Sequence, residues 1–304
     1  LTNYIMKKLL LFILPILLGW SIANAQTGQA LNFDGNDRVV VPYAPGLNQT
    51  SEMTVEAWIN PSDISSFKII AGEWWSPSFF HFNLLNGYLE IYFDGALKAT
   101  DPTLMPLNTW THVAFTASTI TDEVKLYRNG VQVGTTGSYT PAAFPSSTMD
   151  FIIGDKNTSG SSFAFVGNID EVRLWDVART ETEIATNMSV EIPTTMSNLI
   201  ANYHFNQGIA GGVNTGINTL TDDAGSSYTG NLVNFALNGA TSNWVNPGFT
   251  PPPCIADQTV TAAQSTFVCE GSTTVDLGST ELGVDYYLRD DADDSVIDGP
   301  VAGS

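Results

Sequence analysis

Met53-Thr54-Val55-Glu56-Ala57-Trp58-Ile59-Asn60 alternates without a break until Pro61. Met53, Val55, Ala57 and Ile59 fall on one face, Thr54, Glu56, Trp58 and Asn60 on the other, which is the period of a half-buried antiparallel strand. The same period returns at 88–93, closed by Asp94-Gly95, and at 110–117, where Val113 and Phe115 oppose His112 and Ala114. Segments 124–128 and 131–135 flank Asn129-Gly130. Both central residues of a type I′ turn need positive φ, so Asn-Gly between two alternating runs predicts a tight hairpin.

Helix is scarce in this pattern. Thr180-Glu181-Thr182-Glu183 has the capping-box form ahead of an apolar residue at 184 and predicts one short helix. Many short strands with regularly spaced turns over residues 26–250 predict an all-β fold, a two-sheet antiparallel sandwich. Trp58, Trp110 and Trp175 are expected in the core or between the sheets.

The flanks differ from this body. Lys7-Lys8, the apolar run 9–20 and Ala23-Asn24-Ala25 form a secretory leader over 1–25, cleaved before Gln26, with Met6 as the credible start. The run is shorter than the about 20 apolar residues of a membrane span, so the mature chain is expected to be secreted or on the cell surface without membrane insertion. The chain carries 31 acidic against 11 basic residues, a net charge of −20. That balance argues against nucleic acid and anionic membranes, which need a basic footprint. Pro251-Pro252-Pro253 cannot continue a central strand and marks a linker at 251–253. Beyond it, 254–304 has strand-like segments and an acidic turn, Asp290-Asp291-Ala292-Asp293-Asp294, but no closing strand, and is expected to be a truncated small β-domain at the start of a longer protein. Cys254 and Cys269, the only cysteines, suggest one local disulfide in an oxidising compartment.

Five motifs in order carry a family resemblance: Ala30-Leu31-Asn32-Phe33-Asp34-Gly35-Asn36-Asp37, Thr54-Val55-Glu56-Ala57-Trp58-Ile59, Trp110-Thr111-His112-Val113-Ala114, Leu126-Tyr127-Arg128-Asn129-Gly130 and Gly167-Asn168-Ile169-Asp170-Glu171-Val172-Arg173-Leu174-Trp175. Together they resemble the laminin G-like, concanavalin A-like jelly roll of bacterial surface proteins, with the closing strands carried to about residue 246. The segment after the prolines resembles the start of an immunoglobulin-like repeat. The jelly-roll resemblance implies two curved antiparallel sheets and, as cofactor, a structural calcium held by the Asp170 carboxylate with oxygens from the Phe33-Asp34-Gly35 turn. The alternative for the same residues is that Asp34 caps the turn and Asp170 satisfies a backbone donor or pairs with Arg173.

Some relatives with this fold are glycoside hydrolases. The paired acids such enzymes need, in the order Glu-x-Asp-x-x-Glu or Glu-x-Asp-x-Glu along one strand, do not occur here. Glu52 and Glu56 are about 13 Å apart along their strand, and Glu56 reads as a structural position. The histidines His81, His112 and His204 have no metal spacing, and no nucleophile elbow or phosphate loop is present. No catalytic function is expected. The candidate ligand locus is Glu73-Trp74-Trp75-Ser76-Pro77-Ser78-Phe79-Phe80-His81, where Trp74, Trp75, Phe79 and His81 could stack on sugar faces, against the alternative that some of these rings belong to the core. The expected partner is an extracellular glycan or surface protein, bound by one module of a larger protein. The second reading is an accessory domain of a secreted polysaccharide hydrolase whose catalytic domain lies elsewhere.

Overall fold

In the computed structural model the chain divides into two units, Leu1–Phe249 and Thr250–Ser304. The structure describes residues 28–248, apart from 74–78, 146–147, 157–162, 191, 193–195, 226 and 247, together with 285–289 and 296–302. The leader, the proline linker and both cysteines lie outside the described residues.

The first unit is the antiparallel two-sheet sandwich that the alternation predicts. In chain order its strands are β1 (Ala30–Asp34), β2 (Arg38–Val41), β3 (Glu52–Pro61), β4 (Phe67–Gly72), β5 (Phe80–Leu85), β6 (Tyr88–Phe93), β7 (Ala96–Leu104), β8 (Thr111–Ser118), β9 (Glu123–Arg128), β10 (Val131–Gly137), β11 (Phe151–Ile153) and β12 (Val166–Trp175). Helix α1 (Glu181–Asn187) follows, then β13 (Leu199–Tyr203), β14 (Thr219–Leu220), β15 (Gly230–Val233) and β16 (Trp244–Val245). Sheet A runs β10-β9-β8-β3-β12-β1-β16, with β13 also paired to β12, and sheet B runs β14-β15-β2-β11-β4-β5-β6-β7. Consecutive strands that fall in different sheets cross between the layers, which gives the jelly-roll character.

Between the sheets lies one core. β3 contributes Met53, Val55, Ala57 and Ile59, β8 contributes Val113 and Phe115, and sheet B contributes Phe80, Phe82, Leu84, Leu89, Ile91 and Phe93. The predicted hairpin is present: Asn129 and Gly130 both have positive φ, and Arg128 pairs with Val131 across the turn. α1 begins at the predicted capping box, with Thr180 and Glu183 bonding each other's backbone.

The outer face of sheet A departs from expectation. Thr54, Glu56 and Trp58 are buried as well as their inward neighbours, so β3 is covered on both sides. Ala114, Tyr127 and Ile184 of α1 form one small cluster there, and Trp175, Ile192 and Leu199 another. Trp58 donates its Nε1–H to the Met188 carbonyl at 2.6 Å. Trp58 and Trp175 are therefore buried in the core, as one of the two expected placements had it, but under the segment that follows β12 and not between the sheets. Trp110 is only half-buried.

The sandwich closes on itself along one seam. The edge strands β7 and β10 run so close that a Cβ on Gly134 would sit 2.2 Å from the Thr100 carbonyl oxygen. Arg128 reaches across the same seam to the Thr103 carbonyl at 2.6 Å and the Asp101 carboxylate at 2.5 Å. At the other end β1 lies between β12 and β16, and the Gly248 N–H donates to the Gly28 carbonyl at 2.6 Å. In the second unit β17 (Asp285–Arg289) pairs antiparallel with β18 (Val296–Ala302).

Candidate functional site

Alternation along β5 and β6 sends Phe80, Phe82, Leu89, Ile91 and Phe93 inward, so His81, Asn83, Glu90 and Tyr92 stand on the outer face of sheet B. Register pairs His81 with Tyr92 and Asn83 with Glu90. The His81 and Tyr92 rings stack at 4.4 Å, with 16° between their planes. Phe67 of β4 lies 5.6 Å from His81 on its other side, Phe163 lies 5.1 Å from Phe67, and the Lys156 ammonium rests 4.3 Å above the Phe163 ring. The result is a line of four rings, Tyr92, His81, Phe67 and Phe163, drawn from three strands and from the return of the chain after β11.

The polar members of this face are tied to one another. His81 Nδ1 meets Asn83 Oδ1 at 2.9 Å, and since an amide oxygen can only accept, the imidazole carries its proton on Nδ1. Asn83 Nδ2 in turn approaches Glu90 Oε2 at 3.5 Å. Burial lowers the His81 pKa to about 4, against the hydrogen bond to Asn83, so the ring is neutral near pH 7. Burial also raises the Glu90 and Tyr92 pKa values. Flat apolar faces beside a fixed acceptor are suited to a polyhydroxylated ligand, which offers C–H surfaces to rings and hydroxyls to the Glu90 carboxylate; Asn83, 0% exposed, holds His81 and Glu90 in place from beneath. β5 and β6 bring a single carboxylate, Glu90, to this face.

Of the residues expected to contact ligand, His81 is in the row, although only 5% exposed. Phe79 is not: at 1% exposure its ring packs against Phe80, Phe93 and Phe144, so its assignment as a ligand contact is corrected to core packing. Trp74 and Trp75 lie outside the described residues. Asn83, Glu90, Tyr92, Phe67, Phe163 and Lys156 were not among the expected contacts. Alternation in 88–93 contains the signal for Glu90 and Tyr92, whereas Phe163 and Lys156 reach the face through long-range folding.

The expected calcium ligands do not come together. Asp34 pairs with Val166, so Asp170 lies four residues further along β12, about 13 Å away, whereas ligands of one Ca²⁺ sit within about 2.6 Å of it. Gly35 turns the chain with φ +106° close against Val166, and the Asp170 carboxylate accepts the Glu171 N–H at 2.9 Å. The Asp34 N–H itself is held by Asp37, at 2.8 Å, where Asp34 had been the expected cap. Among the described residues no three His, Cys, Asp or Glu side chains are grouped to hold a metal. The residues present do not fit the implied ion.

A second polar assembly lies under α1. Glu56, 0% exposed, accepts from Trp175 Nε1 at 2.9 Å and Arg179 Nη1 at 3.3 Å, with His112 Nε2 at 3.3 Å and Arg173 Nη1 at 3.8 Å. Burial opposes its ionisation, but the His112 hydrogen bond and the two guanidinium charges outweigh it and hold the Glu56 carboxyl down to about 2. Arg179 stacks on Trp175, 4.0 Å from the ring centre. Closed on every side, this assembly fastens α1 and its flanks to sheet A and has no room for a reacting group.

The chain is similar in structure to a candidate carbohydrate-binding protein from Bacteroides ovatus ATCC 8483, at 23% identity and a TM-score of 0.56 over 73% of this chain and 62% of that one. The chain thus spans less than two thirds of that protein's length. Two more distant similarities are a heptameric SAP-like pentraxin from Limulus polyphemus (16% identity, 53% of this chain and 81% of that one, TM-score 0.44) and the CBM40 of the Ruminococcus gnavus IT-sialidase (15% identity, 52% and 96%, TM-score 0.41). No curated protein matches the chain. The laminin G family model described as the concanavalin A-like lectin/glucanases superfamily matches residues 33–185, from the end of β1 into α1. With half of its length matched on the strands that build both sheets, the chain belongs to the concanavalin A-like lectin/glucanases superfamily.

Proposed function

We propose that the outer face of sheet B binds carbohydrate and that the chain is a recognition module of an exported protein, without catalysis of its own. The observation that carries this reading is the row Tyr92, His81, Phe67 and Phe163, with Asn83 and Glu90 fixed beside it. Ring faces supply affinity for pyranose C–H surfaces and the Glu90 carboxylate supplies direction, with the buried Asn83 amide fixing His81 and Glu90. Trp74 and Trp75, which fall in the connection from β4 to β5, are proposed to extend this platform. Export rests on the leader at 1–25, and with it the Cys254–Cys269 disulfide.

Titration of the full chain against a panel of neutral and acidic polysaccharides tests the reading. We expect binding with a heat that Tyr92→Ala reduces at least tenfold in affinity while the far-UV spectrum and melting midpoint stay close to wild type. A folded chain that binds none of the panel sinks the proposal.

A further inference from the structure

The ring row ends in a positive charge that no carboxylate among the described residues neutralises. In a chain with 31 acidic and 11 basic residues, a cation ordinarily finds an acid. Lys68 pairs with Asp63 at 2.8 Å, Lys125 with Glu123 at 2.7 Å, Arg128 with Asp101 at 2.5 Å, Arg173 with Glu171 at 2.8 Å and Arg179 with Glu56 at 3.3 Å. Lys156 instead rests over the face of Phe163, 4.3 Å from its centre and half-buried. A π face attracts an ammonium without accepting a directed hydrogen bond from each of its protons, so the position is fixed while donors remain for a ligand. Lys98, also set over a ring, lies against Tyr139 of the core and is not part of this row. The row is electrically polar along its length: Glu90 stands beside Tyr92 at one end, and Lys156 stands over Phe163 at the other.

We propose that Lys156 makes this face selective for acidic glycans, pairing with the carboxylate or sulfate of a sugar whose neutral neighbours lie along Phe67, His81 and Tyr92. The inference rests on the reading of this face as a glycan site. The acidic group binds at the Phe163 end, because Glu90 repels it from the other. A partly desolvated ammonium–carboxylate contact is worth about tenfold in affinity and weakens with salt.

The test compares the full chain with its Lys156→Gln and Lys156→Arg variants. The probes are polygalacturonate, its methyl-esterified form, a sulfated galactan, and neutral xylan, arabinan and galactan. The expected result is about tenfold tighter binding of the acidic polymers than of the ester and the neutral set, lost in high salt. Lys156→Gln should remove that difference and leave the weaker neutral binding, and Lys156→Arg should keep it. Stronger binding of the sulfated galactan than of polygalacturonate would identify sulfate as the anion, and the reverse order carboxylate. Binding confined to the neutral polymers, an ester bound as tightly as the acid, or an equal loss for all polymers on Lys156→Gln overturns the inference and leaves the glycan reading standing. Absence of binding to any polymer brings down both.

Discussion

Glu56 shows what a buried carboxylate does when it is surrounded by donors. Its oxygens serve Trp175, Arg179 and His112 with Arg173 close by, so removing it leaves the Arg179 guanidinium, the Trp175 N–H and the His112 imidazole in a closed space without their acceptor, while Arg173 keeps Glu171. Breaking one side of such an assembly costs about 3–5 kcal/mol, whereas replacing a whole ion cluster by apolar side chains can be neutral. Glu56→Ala should lower unfolding free energy by that amount in a urea titration. Its structural role is legible in the sequence because no second acid stands at catalytic spacing, but its partners are not, since three of the four come from β12 and the segment after it. The same limit applies at the ligand face. His81 and the outward members of β6 follow from alternation, while Lys156 and Phe163 arrive from a chain return that no local pattern announces. Phe79 illustrates the opposite error: aromatic density alone marks a core as readily as a platform.

Among the elements, the hairpin at Asn129-Gly130 and the start of α1 are readable because a local steric or hydrogen-bonding need dictates the residue. Burial of β3 on both faces is not readable, because the cover comes from residues about 130 positions later. The seam between β7 and β10 depends on a different feature. Gly134, at φ +68°, has the Thr100 carbonyl where a Cβ would be, and Gly137 has the Lys98 carbonyl 2.0 Å from the same position. Two sheet edges so covered offer no free row of amides to another chain. Gly134→Ala has to push the strands apart as well as strain its own backbone, and should cost about 1–3 kcal/mol. Gly95→Ala, at φ +73° with open space around it, should cost only about 1 kcal/mol. Paired melting curves of the two variants separate close approach from conformational strain.

For the whole molecule, pH sets two buried groups against each other. His81 titrates at about 4 in the fold and near 6.5 in an open chain, so its contribution is present above pH 6.5 and is lost as pH falls toward 4. Asp37, buried against the Asp34 N–H and the Ser242 hydroxyl, is pushed up by burial to about 7. Its contribution is complete below about 3.8 and is lost as pH rises through 7. The two terms oppose over the same window, each on the order of 3 kcal/mol. Urea unfolding at pH 7 and pH 4.5 should therefore show His81→Asn gaining stability on acidification and Asp37→Asn losing it, with the wild type between them. Equal slopes in the two variants would exclude this assignment. At this scale the sandwich is legible from strand periodicity, but its closure is not. The matched family segment stops within α1, while β13, β14, β15 and β16 complete both sheets from residues after it.

β1, placed between β12 and β16, also has a consequence in time. Phe33 pairs with Gly167, roughly 130 residues later, and Leu31 pairs with Trp244 later still. At a synthesis rate of roughly 5–20 residues per second, the first strand exists for about 7–26 s before its nearest partner has been made. Through that interval Leu31 and Phe33 have no sheet to join, and sheet A cannot acquire its final order until nearly the whole unit is available. Folding of such a non-local topology is slow even after synthesis ends. Whatever keeps the early chain from aggregating must therefore act before any of the surfaces described above exist.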